Sequence, residues 1–198
     1  MKKKLFAAIA VTTLVSFAMI EPLAIGADMP KADVKMKDIS GREISLKEAV
    51  KKNGLLVMFT CNTCPYVIKN QERTKQICAY AKQNNIGVVL LNSNEGARSG
   101  GDSYEAMKEY ARAQEYGFHY VLDKNNVLAD AFGANRTPET FLFDKAGKLV
   151  YHGAIDDNPN DAGSVSRQHL KEAITELADS KEVSVKTSRS VGCGIKRI

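Results

Sequence analysis

The chain has no cysteine before residue 61 and only four in all, Cys61, Cys64, Cys78 and Cys193. The first absence leaves nothing near the N-terminus to carry a lipid. The small number argues against structural zinc, which takes four ligands, usually as two pairs. One pair exists here, and His119, His152 and His169 are scattered without ligand-like spacing. Positive charge is also thin beyond the N-terminus. Taking the three lysines and one glutamate of residues 1–27 from a formal net charge of +5 leaves +3 on the remainder. No basic run follows, so no nucleic-acid partner is expected. Internal repeats and low-complexity segments are missing as well.

What the N-terminus does have is the pattern of a secretory signal. Lys2-Lys3-Lys4 is the positive region, and Leu5 to Ile20 is an apolar run closed by Glu21-Pro22. Cleavage is expected within Ala24–Ala27, with Ala18 as an earlier candidate. The alternative is an uncleaved anchor, which would be the only tie to a membrane. Thr12, Thr13 and Ser16 interrupt the run, which at 16 residues is short for a spanning helix. The expected organisation is a signal peptide at 1–27, one redoxin domain at 28–180 and a polar tail at 181–198. Export places the protein in a periplasmic or otherwise extracytoplasmic space, where disulfides persist.

Along the chain, apolar runs at Gly54–Thr60 and Ile86–Leu91 read as buried strands, and shorter runs at His119–Leu122, Thr140–Phe143 and Leu149–His152 as further strands. Helices are expected at Tyr66–Asn84, from an Asp102–Glu105 capping box to about Tyr116, at Asn126–Phe132, and at Ser166–Leu177. Ser45-Leu46-Lys47-Glu48 opens a short helix with another capping box. Strands alternating with helices, then an antiparallel pair, give an α/β fold with a mixed central sheet flanked by helices.

Cys61-Asn62-Thr63-Cys64-Pro65 sits where the first buried strand hands over to a helix. Free N–H groups and the positive end of the helix dipole favour a thiolate there. A second thiol one turn away can release a mixed disulfide. A structural disulfide at this spacing would close too short a loop to constrain the unfolded chain much, so a redox-active pair is the reading. Cys78, inside the following helix, is expected to be a buried inert thiol. Cys193, between Gly192 and Gly194 in the tail, is either a bystander or a third redox cysteine that folds back toward Cys61 or links two molecules. Pro138 after Thr137 is either a trans turn proline or a cis proline closing a substrate groove.

These residues form a set that resembles the thioredoxin-like superfamily. More closely, Phe59–Val67, Leu91-Asn92-Ser93-Asn94, Arg136-Thr137-Pro138-Glu139 and Gly192–Lys196 resemble the exported redoxins of the AhpC/TSA, peroxiredoxin-like group. The resemblance implies a thioredoxin-like fold, an exposed nucleophile at Cys61, a resolving thiol at Cys64, and a cis Pro138 preceded by Thr137. It also implies a thiol–disulfide oxidoreductase acting on protein or small-molecule thiols and disulfides, with an electron donor or acceptor that the sequence does not name. The dithiol itself is the redox centre, and no metal, flavin or nicotinamide is expected. Two other activities stay open. A thiol peroxidase would use Cys64-Pro65 as its Cys-Pro, although Cys61 stands where that pattern resembles threonine. A Sco-like copper-handling or redox-sensing module resembles a cysteine pair spaced one residue wider.

Overall fold

The computed structural model describes residues 21–198. Its elements are β1 (Met36–Asp38), β2 (Glu43–Ile44), α1 (Leu46–Ala49), β3 (Gly54–Thr60), α2 (Pro65–Lys69), α3 (Gln71–Gln83), β4 (Ile86–Asn92), α4 (Tyr104–Ala113), β5 (His119–Leu122), α5 (Val127–Phe132), β6 (Arg136–Thr137), β7 (Glu139–Phe143), β8 (Leu149–Gly153), α6 (His169–Ala178) and β9 (Cys193–Gly194). Seven strands form one sheet in the order β2-β1-β5-β4-β3-β7-β8, and β6 pairs with β9 in a separate two-stranded ribbon.

The sheet is mixed, as the alternation of runs predicts. β3 lies parallel to β4 and antiparallel to β7, and β4 lies parallel to β5. The central strands are apolar at nearly every position because both sheet faces are covered. Leu55, Val57 and Phe59 of β3 point into one apolar cluster with Leu128 and Phe132 of α5, while Leu56 and Met58 point into the other with Ile77 and Cys78 of α3 and Ile174 of α6. On the α5 side, Phe132 meets Phe59 and Phe141 edge-on at centroid separations of 5.4 and 5.2 Å. Such contacts add about 0.5–1.5 kcal/mol each beyond burial. They fix the end of β3 from which the cysteine loop departs.

Four expectations need correction. The helix expected over Tyr66–Asn84 is two helices. It breaks at Asn70 (φ −94°, ψ 5°), whose side-chain amide donates to the Tyr66 and Pro159 carbonyls. The helix at Asp102 begins one residue later. Ser103 is its N-cap, accepting from Ala106 N, and it ends at Ala113. The folded unit starts before residue 28. The basic region and apolar run lie outside the described residues, but Leu23 N donates to Phe132 O (2.9 Å), Gly26 N to Leu149 O (2.8 Å) and Leu149 N to Ala27 O (3.0 Å). Leu23 and Ile25 pack on the α5-side cluster, and Gly133, at φ +64°, leaves no room for a Cβ beside the Glu21 carbonyl. Cleavage within Ala24–Ala27 would strip these contacts, whereas cleavage near Ala18 leaves them whole.

The fourth correction concerns the tail, which is polar but docked. Val183 and Ile195 are buried, Ser188 N donates to His152 O (3.0 Å), and Arg197 pairs with Asp130 at 2.8 Å. The polar composition hid this because the tail is held mostly by backbone hydrogen bonds, which carry no sequence signature.

Candidate active site

β3 runs out at Thr60 and delivers Cys61 to the sheet's C-terminal edge. Cys61 and Cys64 then form a small apolar cluster with Val67, against which Tyr66 and Cys193 pack. All four cysteines are thiols in this structure. The loop between the pair is held by Asp102. Its Oδ1 accepts from Asn62 N (2.7 Å) and Asn92 Nδ2 (2.9 Å), and its Oδ2 from Thr63 Oγ1 (3.0 Å) and Asn94 Nδ2 (3.0 Å). Asn62 Nδ2 also donates to Gly101 O, and Tyr120 Oη donates to Asn62 Oδ1 at 2.8 Å. This explains the Asn-Thr dipeptide between the cysteines: its polar groups are what Asp102 and its neighbours grip. With four donors, the fully buried Asp102 carboxylate is satisfied without a counter-cation.

Asp102 and its asparagines are the residues that sequence reasoning missed as part of the site. No acid occurs in β3, and the one that serves the pair arrives from the loop before α4. A signal existed in the run Leu91-Asn92-Ser93-Asn94, where three amide or hydroxyl side chains follow a strand. Asn92, Ser93 and Asn94 are all buried.

The opposite wall is the β6–β7 junction. The Thr137–Pro138 peptide is cis. Thr137 touches both sulfurs: its Oγ1 lies 3.5 Å from Cys61 Sγ, and its carbonyl accepts from the protonated Cys64 thiol at 3.3 Å. Glu139, also missed, braces this wall. Its buried carboxylate accepts from Asn135 N (2.8 Å) and Arg136 N (3.0 Å), and its other oxygen lies 2.8 Å from His152 Nε2.

Cys64 is the N-cap of α2, with Pro65 at the first helical position. Pro65 gives up no N–H that the helix would use and pre-sets its φ. The first-turn N–H of Val67 faces the Cys64 sulfur. The Cys64 thiol is accordingly pulled well below the ordinary thiol range, first by the hydrogen bond from the Cys61 thiol, then by Cys193 and by the Val67 N–H, against the cost of burial. Cys61 goes the other way. The same Cys64 hydrogen bond, burial and the Asp102 charge push it up, with the Thr137 hydroxyl and the Cys64 backbone N–H opposing. Both thiols are protonated in this structure, and when the pair loses one proton Cys64 is the side on which the charge is favoured. The resemblance implied an exposed Cys61 with Cys64 tucked away, whereas both are buried. Cys61 is 1% exposed and Cys64 3%. The opposite directions in which the two thiols move come first from the interaction between the thiols themselves.

Cys78 is fully buried on α3 among apolar side chains, and burial pushes its thiol up. It takes no part in the site. Cys193 is half-buried and sits directly opposite Thr137 in the β6–β9 ribbon. It packs against the Cys61–Cys64 cluster. Among the described residues, no group of three or more His, Cys, Asp or Glu side chains is placed to hold a metal ion.

A mixed sheet carrying a Cys-x-x-Cys loop across from a Thr–Pro wall defines a thioredoxin-like fold, and solved structures agree. A secreted Mycobacterium tuberculosis disulfide oxidoreductase described as homologous to E. coli DsbE superposes with a TM-score of 0.51 at 13% identity, over 60% of this chain and 81% of that one. A hypothetical protein from Sinorhizobium meliloti superposes with a TM-score of 0.82 at 30% identity, over 90% of this chain and 97% of that one. In sequence, residues 25–152 match the AhpC/TSA family model, and the chain belongs to the AhpC/TSA family. The thiol-disulfide oxidoreductase ResA of Bacillus cereus is 25% identical over 134 residues, covering 68% of this chain and 72% of ResA.

Proposed function

We propose that the protein is an exported thiol–disulfide oxidoreductase that cycles Cys61 and Cys64 between dithiol and disulfide. The observation that carries this reading is the placement of both sulfurs against Thr137, one on its hydroxyl and one on its carbonyl, at a helix N-terminus. Such a constellation stabilises a thiolate and presents its partner thiol to the same reacting sulfur. The likeness to ResA supports the reaction class, and the Lys2–Ile20 pattern supports export. The substrates are protein or small-molecule disulfides.

In the reducing direction, the Cys64 thiolate attacks one sulfur of a substrate disulfide. A Cys64–substrate bond forms, and the second substrate sulfur leaves as a thiolate that takes the proton from Cys61. Cys61 then attacks Cys64 Sγ, the Cys61–Cys64 bond forms, and the first substrate sulfur leaves. The substrate gains two electrons and the pair loses two. Disulfide donation runs the same steps backward. This order exchanges the roles that the resemblance implied, on the ground that Cys64 is the N-cap of α2 and has the lowered thiol.

One observation favours a second reading. Cys64-Pro65 at a helix N-terminus, with a depressed thiol, is what a peroxidatic cysteine needs, and oxidation to a sulfenic acid would follow. The test runs both assays on one preparation. Insulin-disulfide reduction with dithiothreitol is expected in the wild type and absent in Cys61→Ser and Cys64→Ser. Hydrogen peroxide consumption that persists in Cys61→Ser, with no insulin reduction in the wild type, favours the peroxidase.

A further inference from the structure

Three sulfurs rather than two meet at the end of β3, and the third is brought there by a built element. The tail crosses the Thr137 wall as β9, with Thr137 paired to Cys193 and Arg136 to Gly194. Contacts on both sides of Cys193 hold it. Arg136 Nη1 donates to Gly192 O (3.3 Å), Ile195 N to Asn135 O (3.0 Å), Lys196 N to Asn94 Oδ1 (2.9 Å) and Gly96 N to Lys196 O (2.8 Å). Gly192 passes so close to the wall that a Cβ there would lie 2.1 Å from the Thr137 carbonyl oxygen, so only glycine permits the crossing. Gly194 faces open space and meets no such limit. The consequence is that Cys193 packs against the Cys61–Cys64 cluster while staying half-exposed.

We propose that Cys193 is a second resolving thiol for Cys64, so that Cys64 is the shared pole of two alternative disulfides, Cys61–Cys64 and Cys64–Cys193. This rests on the thiol–disulfide reading above. The sequence had pointed Cys193 toward Cys61, but the β6–β9 register sets it opposite Thr137, and the tail passes against the same Thr137 carbonyl that the Cys64 thiol meets. The step balances without any added oxidant. In a mixed disulfide between Cys64 and a substrate sulfur, the Cys193 thiol gives up its proton and its sulfur attacks Cys64 Sγ. The Cys64–substrate bond breaks, the substrate thiolate takes the proton, and the Cys64–Cys193 bond forms. The second disulfide has one sulfur on a half-exposed residue, where an external thiol reaches it more readily than the buried pair of the first. It also ties β9 across β6, covering the edge that an extended peptide would otherwise pair with.

The test uses the full chain and glutathione disulfide as the oxidant. Cys61→Ser is loaded with glutathione and followed by intact mass and non-reducing peptide mapping, beside Cys61→Ser/Cys193→Ser. The single variant is expected to lose its glutathione adduct at least about tenfold faster than the double variant, and to yield an intrachain Cys64–Cys193 peptide. Equal decay, with Cys193 free in both, overturns the proposal. The wild type provides a second arm that does not depend on the variants folding. Its glutathione-oxidised form is expected to contain Cys64–Cys193 alongside Cys61–Cys64. Cys61–Cys64 alone, with Cys193 alkylatable in every molecule, also overturns it. If the wild type forms no Cys61–Cys64 bridge and reduces no insulin, the parent reading fails instead, so the two failures are distinguishable.

Discussion

Cys64 and Cys78 are both sealed from solvent, at 3% and 0% exposure, both are associated with helices, and they end with opposite chemistry. Cys78 lies in the middle of α3, where the helix's N–H groups are already spent on its own carbonyls, and its neighbours are Leu56, Ala81 and other apolar side chains. Burial outweighs the opposing charge of Lys82, and its thiol rises. Cys64 stands one residue before α2, where N–H groups are unspent, and two other thiols approach it. Its thiol falls. Burial is thus a poor guide to thiol reactivity in this fold. What decides it is whether the helix offers its terminus or its flank, and whether other sulfurs share the proton.

The widest separation between the two comes from serine substitution. Cys64→Ser is expected to abolish insulin reduction while the protein stays folded, because a hydroxyl at an N-cap is well accommodated. Cys78→Ser is expected to keep turnover per folded molecule but to lose about 1–3 kcal/mol in urea unfolding, because it places a hydroxyl in an apolar site. Turnover lost in Cys78→Ser at full stability would break the comparison.

Asp102→Asn removes the charge beside Cys61 and leaves some of the four donors around it unmatched. A stability loss of about 1–3 kcal/mol is expected. The Cys61 thiol should also titrate at lower pH, since the Asp102 charge is one of the causes holding it up. A thiolate absorbance titration of the reduced variant reads this, and an unchanged or raised Cys61 value contradicts the assigned role.

The two cysteines of the pair also set a pH signature. Cys64 is depressed on folding, so its contribution to the stability of the reduced protein is full above the unfolded thiol value of about 8.5 and is lost as pH falls through its lower folded value. Cys61 is raised, so its contribution is full below about 8.5 and is lost as pH rises toward its folded value. Cys193 is raised too and adds to the alkaline loss. Thermal stability of the reduced protein relative to the oxidised one should therefore peak near about pH 8.5. Cys78, free in both forms, largely cancels. A difference curve that is flat through this range would show that the pair does not share its proton unequally.

The smallest effect expected is at Gly192. Gly192→Ala must push the tail away from the Thr137 carbonyl, so Cys193 should be alkylated several-fold faster in the native state. An unchanged rate would mean the tail finds another way past the wall.

Much of this was legible from the chain. The apolar runs marked β3 and β4, because strands covered on both faces have no polar side to show, and the Ser45 capping box formed as written. The cysteine pair was placed correctly between strand and helix. The burial of both its sulfurs was not legible, because it depends on Thr137 and the Cys193 tail, which lie far away in sequence. Asp102 was assigned to a helix cap because its real partners, Asn62 and Thr63, lie about forty residues away in sequence. The docking of the polar tail did not show, because it uses backbone groups and one closely packed glycine, neither of which appears in composition. Sequence patterns report local periodicity, and these three features depend on contacts between distant segments.

The most direct measurement of the central claim is a thiol count of the wild-type protein across a graded glutathione redox buffer, with each cysteine located by alkylation and peptide mapping. Two thiols should disappear together and return on reduction, with Cys64 always one of the two and Cys78 free throughout. Four free thiols across the whole range, or a reversible bridge that leaves Cys64 out, would contradict the account.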